Sequence, residues 1–139
     1  MDKVKPIKVN GGMKVSELVE RMKEAGFGAR KIGKASDIMK KMFSDDECSI
    51  FLGVAGAMVP AGMKEIILDM IKTGKISILV ITGANLTHDL AEALGEFHYH
   101  CDTWDDKEFH DKGFDRMYNV LMKNQVYEKI EKFFEENWQ

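Results

Sequence analysis

Residues 51 to 95, FLGVAGAMVPAGMKEIILDMIKTGKISILVITGANLTHDLAEALG, constrain the fold more than any other part of the chain. Two apolar, β-prone runs, Ser49 to Leu52 and Ile76 to Ile81, each lead into a stretch of small residues and then into a helical pattern. Met63, Ile66, Ile67, Met70 and Ile71 repeat at the spacing of one helix face, so a helix is predicted from Met63 to Thr73, with Pro60 near its first turn and Gly74 at its end. A second helix is predicted from Thr87 to Leu94 after the turn Thr82, Gly83, Ala84, Asn85. Strands apolar on both faces suit a parallel sheet covered on both sides. In such sheets ligands bind at the carboxyl ends of the strands, where both small-residue turns fall, and free helix N-terminal N–H groups favour anions. This is the architecture of nucleotide-cofactor sites, although the chain has neither GxGxxG nor GxxxxGK[ST] and tight packing alone also selects small turn residues.

Outside this region the pattern is mostly helical. Met13 to Ala25 places Val15, Leu18, Val19 and Met22 on one face; Gly28 to Gly33 reads as a connector; Ala35, Ile38, Met39, Met42 and Phe43 mark the next helix. Phe97 to His100 is predicted as a short strand and Asp105 to Lys112 as a short helix or turn closed by Gly113. The tail from Asn124 to Trp138 carries Val126, Tyr127, Ile130, Phe133 and Phe134 at helical spacing, and so many large apolar groups call for a surface to cover. A small parallel sheet also leaves edges to be paired, so a partner surface is expected.

At 139 residues, 45% hydrophobic and 31% charged, the chain has the composition of one soluble globular domain spanning residues 1–139. A net charge of −3 with scattered lysines gives no electrostatic case for nucleic acid or for an anionic membrane. The opening MDKVKPIKVNGG has no apolar signal core and no run reaches membrane-spanning length, which predicts a cytoplasmic protein. Cys48 and Cys101 are far apart and outside any CxxC, as expected of structural thiols in a reducing compartment.

The polar residues admit functional and structural readings side by side. His98, His100 and Cys101 form an H-x-H-C cluster, with His98 and His100 on one face of a strand, but zinc sites use paired C-x-x-C or H-x-x-x-H spacings, so no metal site is assigned. His88 follows the second turn directly, where an imidazole can meet a ligand; otherwise Thr87 or Asp89 caps the helix and His88 is a solvated neighbour. Thr82 either caps the turn or holds a cofactor hydroxyl, and Asn85 suits left-handed backbone angles. The ten methionines fall mostly on apolar helix faces as core fillers. There is no nucleophile elbow and no lysine in an apolar pocket-forming segment, so no catalytic residue is assigned within the chain.

Taken together, MKVSELVERMKEAGFGARKIGKASDIMKKM, FLGVAGAMVPAGM, LVITGANLTHDL, GEFHYH and KGFDRMYNVLMKNQVYEKIEKF resemble the amino-terminal half of deoxyhypusine synthases, the archaeal form in particular, over nearly the whole chain. The resemblance implies an α/β, Rossmann-like three-layer fold with a parallel sheet, present as a partial synthase domain. It implies NAD as cofactor, spermidine as aminobutyl donor and a lysine of a hypusine-containing translation factor as acceptor. By motif, Gly56, Ala57, Met58, Val59 and Pro60 of the first turn and Thr82, Gly83 and Ala84 of the second would border NAD through the main chain. Thr87, His88 and Asp89 would lie near the amine substrate; Thr87 and His88 stand where eukaryotic members carry acidic residues, leaving Asp89 as the nearby carboxylate.

The same resemblance places the family's catalytic lysine in the second half of the full enzyme, and neither Trp104 nor Trp138 is followed by lysine as a W-G-K segment would require. The chain is therefore expected to be inactive alone, and three accounts follow: one half of a split synthase acting with a complementary half or other subunits, a truncated piece, or a noncatalytic regulatory or degenerate subunit. A homospermidine synthase-like transfer to a small amine is a further alternative.

Overall fold

The computed structural model describes residues 2–138; Met1 and Gln139, the ends of the predicted 1–139 span, lie outside the described residues. Its contacts divide the chain into two compact units, Met1–Ile50 and Phe51–Gln139.

The first unit is helical. Helix α1 (Val15–Met22) packs against α2 (Phe27–Ser44). The predicted first helix is thus present but shorter. The predicted connector Gly28 to Gly33 is instead the opening of α2. The local penalty of glycine in a helix, about 1 kcal/mol each, is outweighed by packing: Gly33 is buried in α2, and a methyl carbon there would lie 2.5 Å from the Lys23 backbone nitrogen. Arg30 Nη1 donates to the Lys23 carbonyl at 2.8 Å, and Lys23 pairs with both Glu20 and Asp37, so the same point is also tied by polar contacts.

The second unit contains a βαβ motif followed by a small antiparallel sheet and its helices. Strand β1 (Phe51–Val54) leads through a one-turn π-helical stretch, Val59–Met63, into α3 (Lys64–Lys72), which crosses to β2 (Ile78–Ile81). The two strands pair in parallel, Phe51 with Ile78 through Val54 with Ile81. Parallel neighbours need such a crossover because their ends lie at opposite edges of the sheet. Inside the π-helical stretch the Met63 N–H reaches back five residues to the Met58 carbonyl, and Gly62 turns the chain with φ of 81°, an angle costly to residues with a side chain. Pro60 lies in this stretch, just ahead of α3, close to where its fixed φ and missing N–H predict.

Helix α4 (Gly83–Ala93) follows β2 at once. Beyond it, β3 (Tyr99–His100), β4 (Phe114–Met117) and β5 (Val120–Lys123) form an antiparallel sheet in the order β3-β5-β4, with α5 (Asp106–Asp111) before β4 and α6 (Val126–Asn137) after β5. Asp105 caps α5 by accepting from the Glu108 N–H at 2.9 Å. The β4–β5 hairpin has no counterpart among the elements expected from sequence, which include none over residues 114 to 123. Its turn is only Tyr118 and Asn119, with Tyr118 at φ of 54°.

The core of this unit joins three elements: Ala91 of α4, Met122 of β5 and Val126 of α6, with Met117 and Ile130 packed against them. The tail helix therefore does cover a surface through Val126 and Ile130, while Phe134 and Trp138 stay exposed and stack edge to face on each other. The two-stranded parallel sheet is poorly covered: Phe51 is 66% exposed and Val80 62%. No helix among the described residues is long and apolar enough to cross a membrane.

Candidate functional site

Register brings the two small-residue turns to one place. Val54 and Ile81 are partners at the carboxyl end of the parallel pair, and the Thr82 N–H donates to the Val54 carbonyl at 3.2 Å, extending the pairing one step into the second turn. From this edge Gly56, with φ of 73°, and Met58 of the first turn reach solvent, as do Thr82, Gly83 and Ala84 of the second; Ala57 is half-buried. Val59 and Pro60 turn inward and are buried, so their side chains pack against protein rather than solvent.

Asn85 holds these turns together. It is fully buried. Its Oδ1 accepts from the Met58 N–H at 3.1 Å and the Val59 N–H at 3.3 Å, and its Nδ2 donates to Thr82 Oγ1 at 3.0 Å and to the Val54 carbonyl at 3.5 Å. All four contacts of the carboxamide go to residues of the two turns or the strand that feeds them. Asn85, expected in a turn for its tolerance of left-handed angles, is in the first turn of α4 instead, and its value is as donor and acceptor.

The second turn is correspondingly shorter than predicted. Helix α4 begins at Gly83, not near Thr87, with extended Thr82 as its N-cap residue. Thr87 does not cap the helix: its hydroxyl donates back to the Gly83 carbonyl at 3.0 Å, an intrahelical bond. Nor is His88 a solvated neighbour, since it is only 8% exposed.

The candidate substrate residues diverge, because successive helical residues point about 100° apart. Thr87 and Asp89 share with Gly83 a groove of about 480 Å³ between α4 and α6, bounded by Ile130 and Phe134. His88 faces elsewhere: its Nδ1 lies 3.1 Å from His98 Nε2, and His98 Nδ1 lies 3.0 Å from Glu92 Oε1. Glu92 is also 3.2 Å from Lys64 Nζ, which is 2.7 Å from Asp89. A continuous polar chain thus runs Asp89, Lys64, Glu92, His98, His88. Asp89, the carboxylate nearest the expected amine position, already carries a cation. The Lys64 ammonium is held above its usual pKa by Asp89 first, with Glu92 adding to it and burial opposing. Neither Lys64 nor Glu92 stood out in the sequence; the i, i+3 spacing of Asp89 and Glu92 was the available sign of a shared face.

The H-x-H-C cluster is dispersed. Strand β3 is only two residues long and does not impose alternation on His98. His98 turns in toward α4, His100 is exposed, and buried Cys101 donates its thiol to the Thr103 carbonyl at 2.6 Å.

Burial pushes the His88 pKa below its ordinary 6.5, His98 adds to that, and Glu92 partly opposes it. A histidine kept neutral by the fold stabilises the native state fully above pH 6.5. That contribution is lost as pH falls below 6.5 toward the depressed native value, with a slope of at most about 1.4 kcal/mol per pH unit for one group. Urea denaturation at a series of pH values from 8 to 5 should show this decline, and it should shrink in His88→Gln. An equal decline in the variant would assign the acid sensitivity to other groups.

Comparison with known proteins adds independent findings. Residues 17–139 match the family model described as deoxyhypusine synthase. The chain is 41% identical over 133 residues to a probable deoxyhypusine synthase of Methanosarcina thermophila, covering 95% of this chain and 42% of that protein. A probable deoxyhypusine synthase of Methanothermobacter thermautotrophicus is 41% identical over 129 residues, covering 92% of this chain and 42% of its own length. Probable deoxyhypusine synthase 2 of Methanosarcina acetivorans is 42% identical over 108 residues, covering 77% of this chain and 31% of that protein. The chain spans about two fifths of the length of the first of these relatives.

Proposed function

The chain belongs to the deoxyhypusine synthase family, and from that premise we propose that it supplies the amino-terminal, NAD-binding part of a spermidine-dependent aminobutyl transferase. The observation that carries this reading is the convergence of two small-residue turns at the carboxyl edge of β1 and β2, the position where open α/β sheets take their ligands. The three-layer, Rossmann-like arrangement belongs to the same reading: residues 1–139 are one incomplete domain whose parallel sheet is extended by further polypeptide. The exposed Phe51 and Val80 support that extension, since parallel strands are normally covered on both faces.

The residues present suit a dinucleotide in part. Exposed main chain at Gly56, Gly83 and Ala84 permits close approach without side-chain obstruction. Val59 and Pro60 serve by shaping the first turn from within, not by touching the ligand. When bound, NAD supplies the hydride acceptor for spermidine oxidation; the chain's own residues bind and orient it. Thr87 and Asp89, in the groove below Gly83, are the substrate-facing candidates, and Asp89 exchanges Lys64 for a polyamine ammonium. His88 acts through its contact with His98. The acceptor is a lysine of a hypusine-containing translation factor, and the setting is the cytoplasm.

A second reading has an observation in its favour. With Asp89 neutralised by Lys64, the polar chain is complete without substrate, as expected of a noncatalytic subunit that keeps the fold.

Mixing this chain with the remaining region of the Methanosarcina thermophila relative, then adding NAD, labelled spermidine and the acceptor factor, tests both readings. Label on the acceptor lysine that requires both polypeptides is the expected result by mass spectrometry. A stable complex of the two polypeptides that transfers no label overturns the first reading and supports the second.

A further inference from the structure

The geometry points to Asn85 as a positioning residue with a second effect: its carboxamide occupies the anion-accepting donors of the first turn, so that turn orients a ligand by shape while withholding its N–H groups at Met58 and Val59. Two successive main-chain N–H groups at the start of a helical turn form a ready cradle for a phosphate oxygen. Here both point at a single neutral acceptor, Asn85 Oδ1, at 3.1 and 3.3 Å. Asn85 is fully buried, and the donors on its other end, toward Thr82 Oγ1 and the Val54 carbonyl, fix which way the amide faces. With its oxygen and nitrogen ends both matched, the side chain cannot flip to release those donors without leaving buried groups unpaired.

The first turn thus carries its own internal substitute for an anion, placed there by the first helical turn of α4. It follows that a phosphate-bearing ligand at the carboxyl edge of the sheet meets the first turn at Gly56 and Ala57, not at the start of the π-helical stretch. The inference refines the cofactor reading given above, yet the donor occupancy stands whether or not NAD is the ligand.

The experiment uses the full chain labelled with ¹⁵N and inorganic pyrophosphate as probe, following amide hydrogen exchange. In the unaltered protein the Met58 and Val59 amides should be protected, and adding pyrophosphate should not slow their exchange further. In Asn85→Ala both should exchange on the order of ten-fold faster or more, as expected when a buried amide loses its acceptor, and pyrophosphate should now slow that exchange. Asn85→Asp keeps the acceptor and should keep both amides protected, so it separates loss of the acceptor from general loosening and serves if the alanine variant fails to fold. Exchange at Met58 and Val59 slowed by pyrophosphate in the unaltered chain, or unchanged protection in Asn85→Ala, would overturn the proposal. Failure of NAD to bind the unaltered chain, with these amide results intact, counts against the cofactor reading alone.

Discussion

Met122→Ala should be among the most destabilising single truncations in the chain, lowering unfolding free energy by about 3 kcal/mol, within the roughly 2–5 kcal/mol range for removing a buried methionine side chain. Met122 is 1% exposed and sits between Ala91 of α4 and Val126 of α6. Both neighbours are small and carried on helices, so they cannot reach into the vacated volume. Met117 and Ile130 border the same cluster, and the unbranched Met117 side chain is flexible enough to fill part of the space, which keeps the loss below the top of the range. Urea denaturation should show a lower midpoint at an unchanged slope, the sign of lost stability without a change in the surface exposed. A loss below about 1 kcal/mol would mean that the three elements are not held together by this contact.

A glycine pair in one helix gives the second large effect, with opposite signs at its two positions. Gly33→Ala should cost about 2 kcal/mol, as overpacking typically does. The added carbon would meet the Lys23 nitrogen at 2.5 Å and the Met22 carbonyl carbon at 2.9 Å, and both are backbone atoms that move only if the end of α1 moves. That shift also strains the Lys23 pairs with Glu20 and Asp37. Alanine's helix preference over glycine, about 1 kcal/mol, is too small to offset the clash. Gly28→Ala meets nothing within 4 Å in the same helix and should instead stabilise by about 0.5 kcal/mol. Thermal unfolding followed by circular dichroism, with exchange rates of α1 and α2 amides, reads both variants. If Gly33→Ala also stabilised, the close approach of the helices would have to be abandoned.

Much of the local structure was legible because it rests on near neighbours along the chain. The apolar run before Thr82, the helix-face spacing through Ile66, Ile67 and Met70, and the spacing of Val126, Ile130 and Phe133 each led to the observed strand or helix, with ends off by a few residues. The family resemblance was equally legible, since the two central turns occur in a specific order and spacing, and the family match over residues 17–139 agrees with it. The β4–β5 hairpin escaped because Asp115, Arg116 and Lys123 interrupt its apolar positions and its turn lacks an Asn-Gly signal. Arg116 is accommodated by stacking 4.6 Å above the Trp104 ring and pairing with Asp106, partners no local pattern announces.

The sequence by itself determined the family, the βαβ order and the meeting of small-residue turns at the end of two apolar strands, because periodicity and glycine placement act over a few residues. Only the tertiary structure decided what the polar residues do. Asn85 finds donors and an acceptor 26 to 31 residues away in sequence at Met58, Val59 and Val54, His88 is buried against His98, Asp89 is neutralised by Lys64, and Gly33 is required by the backbone of Lys23. A buried polar group must be satisfied by whatever the folded chain brings within about 3 Å, and that neighbour is set by packing between elements, not by the residues beside it in sequence.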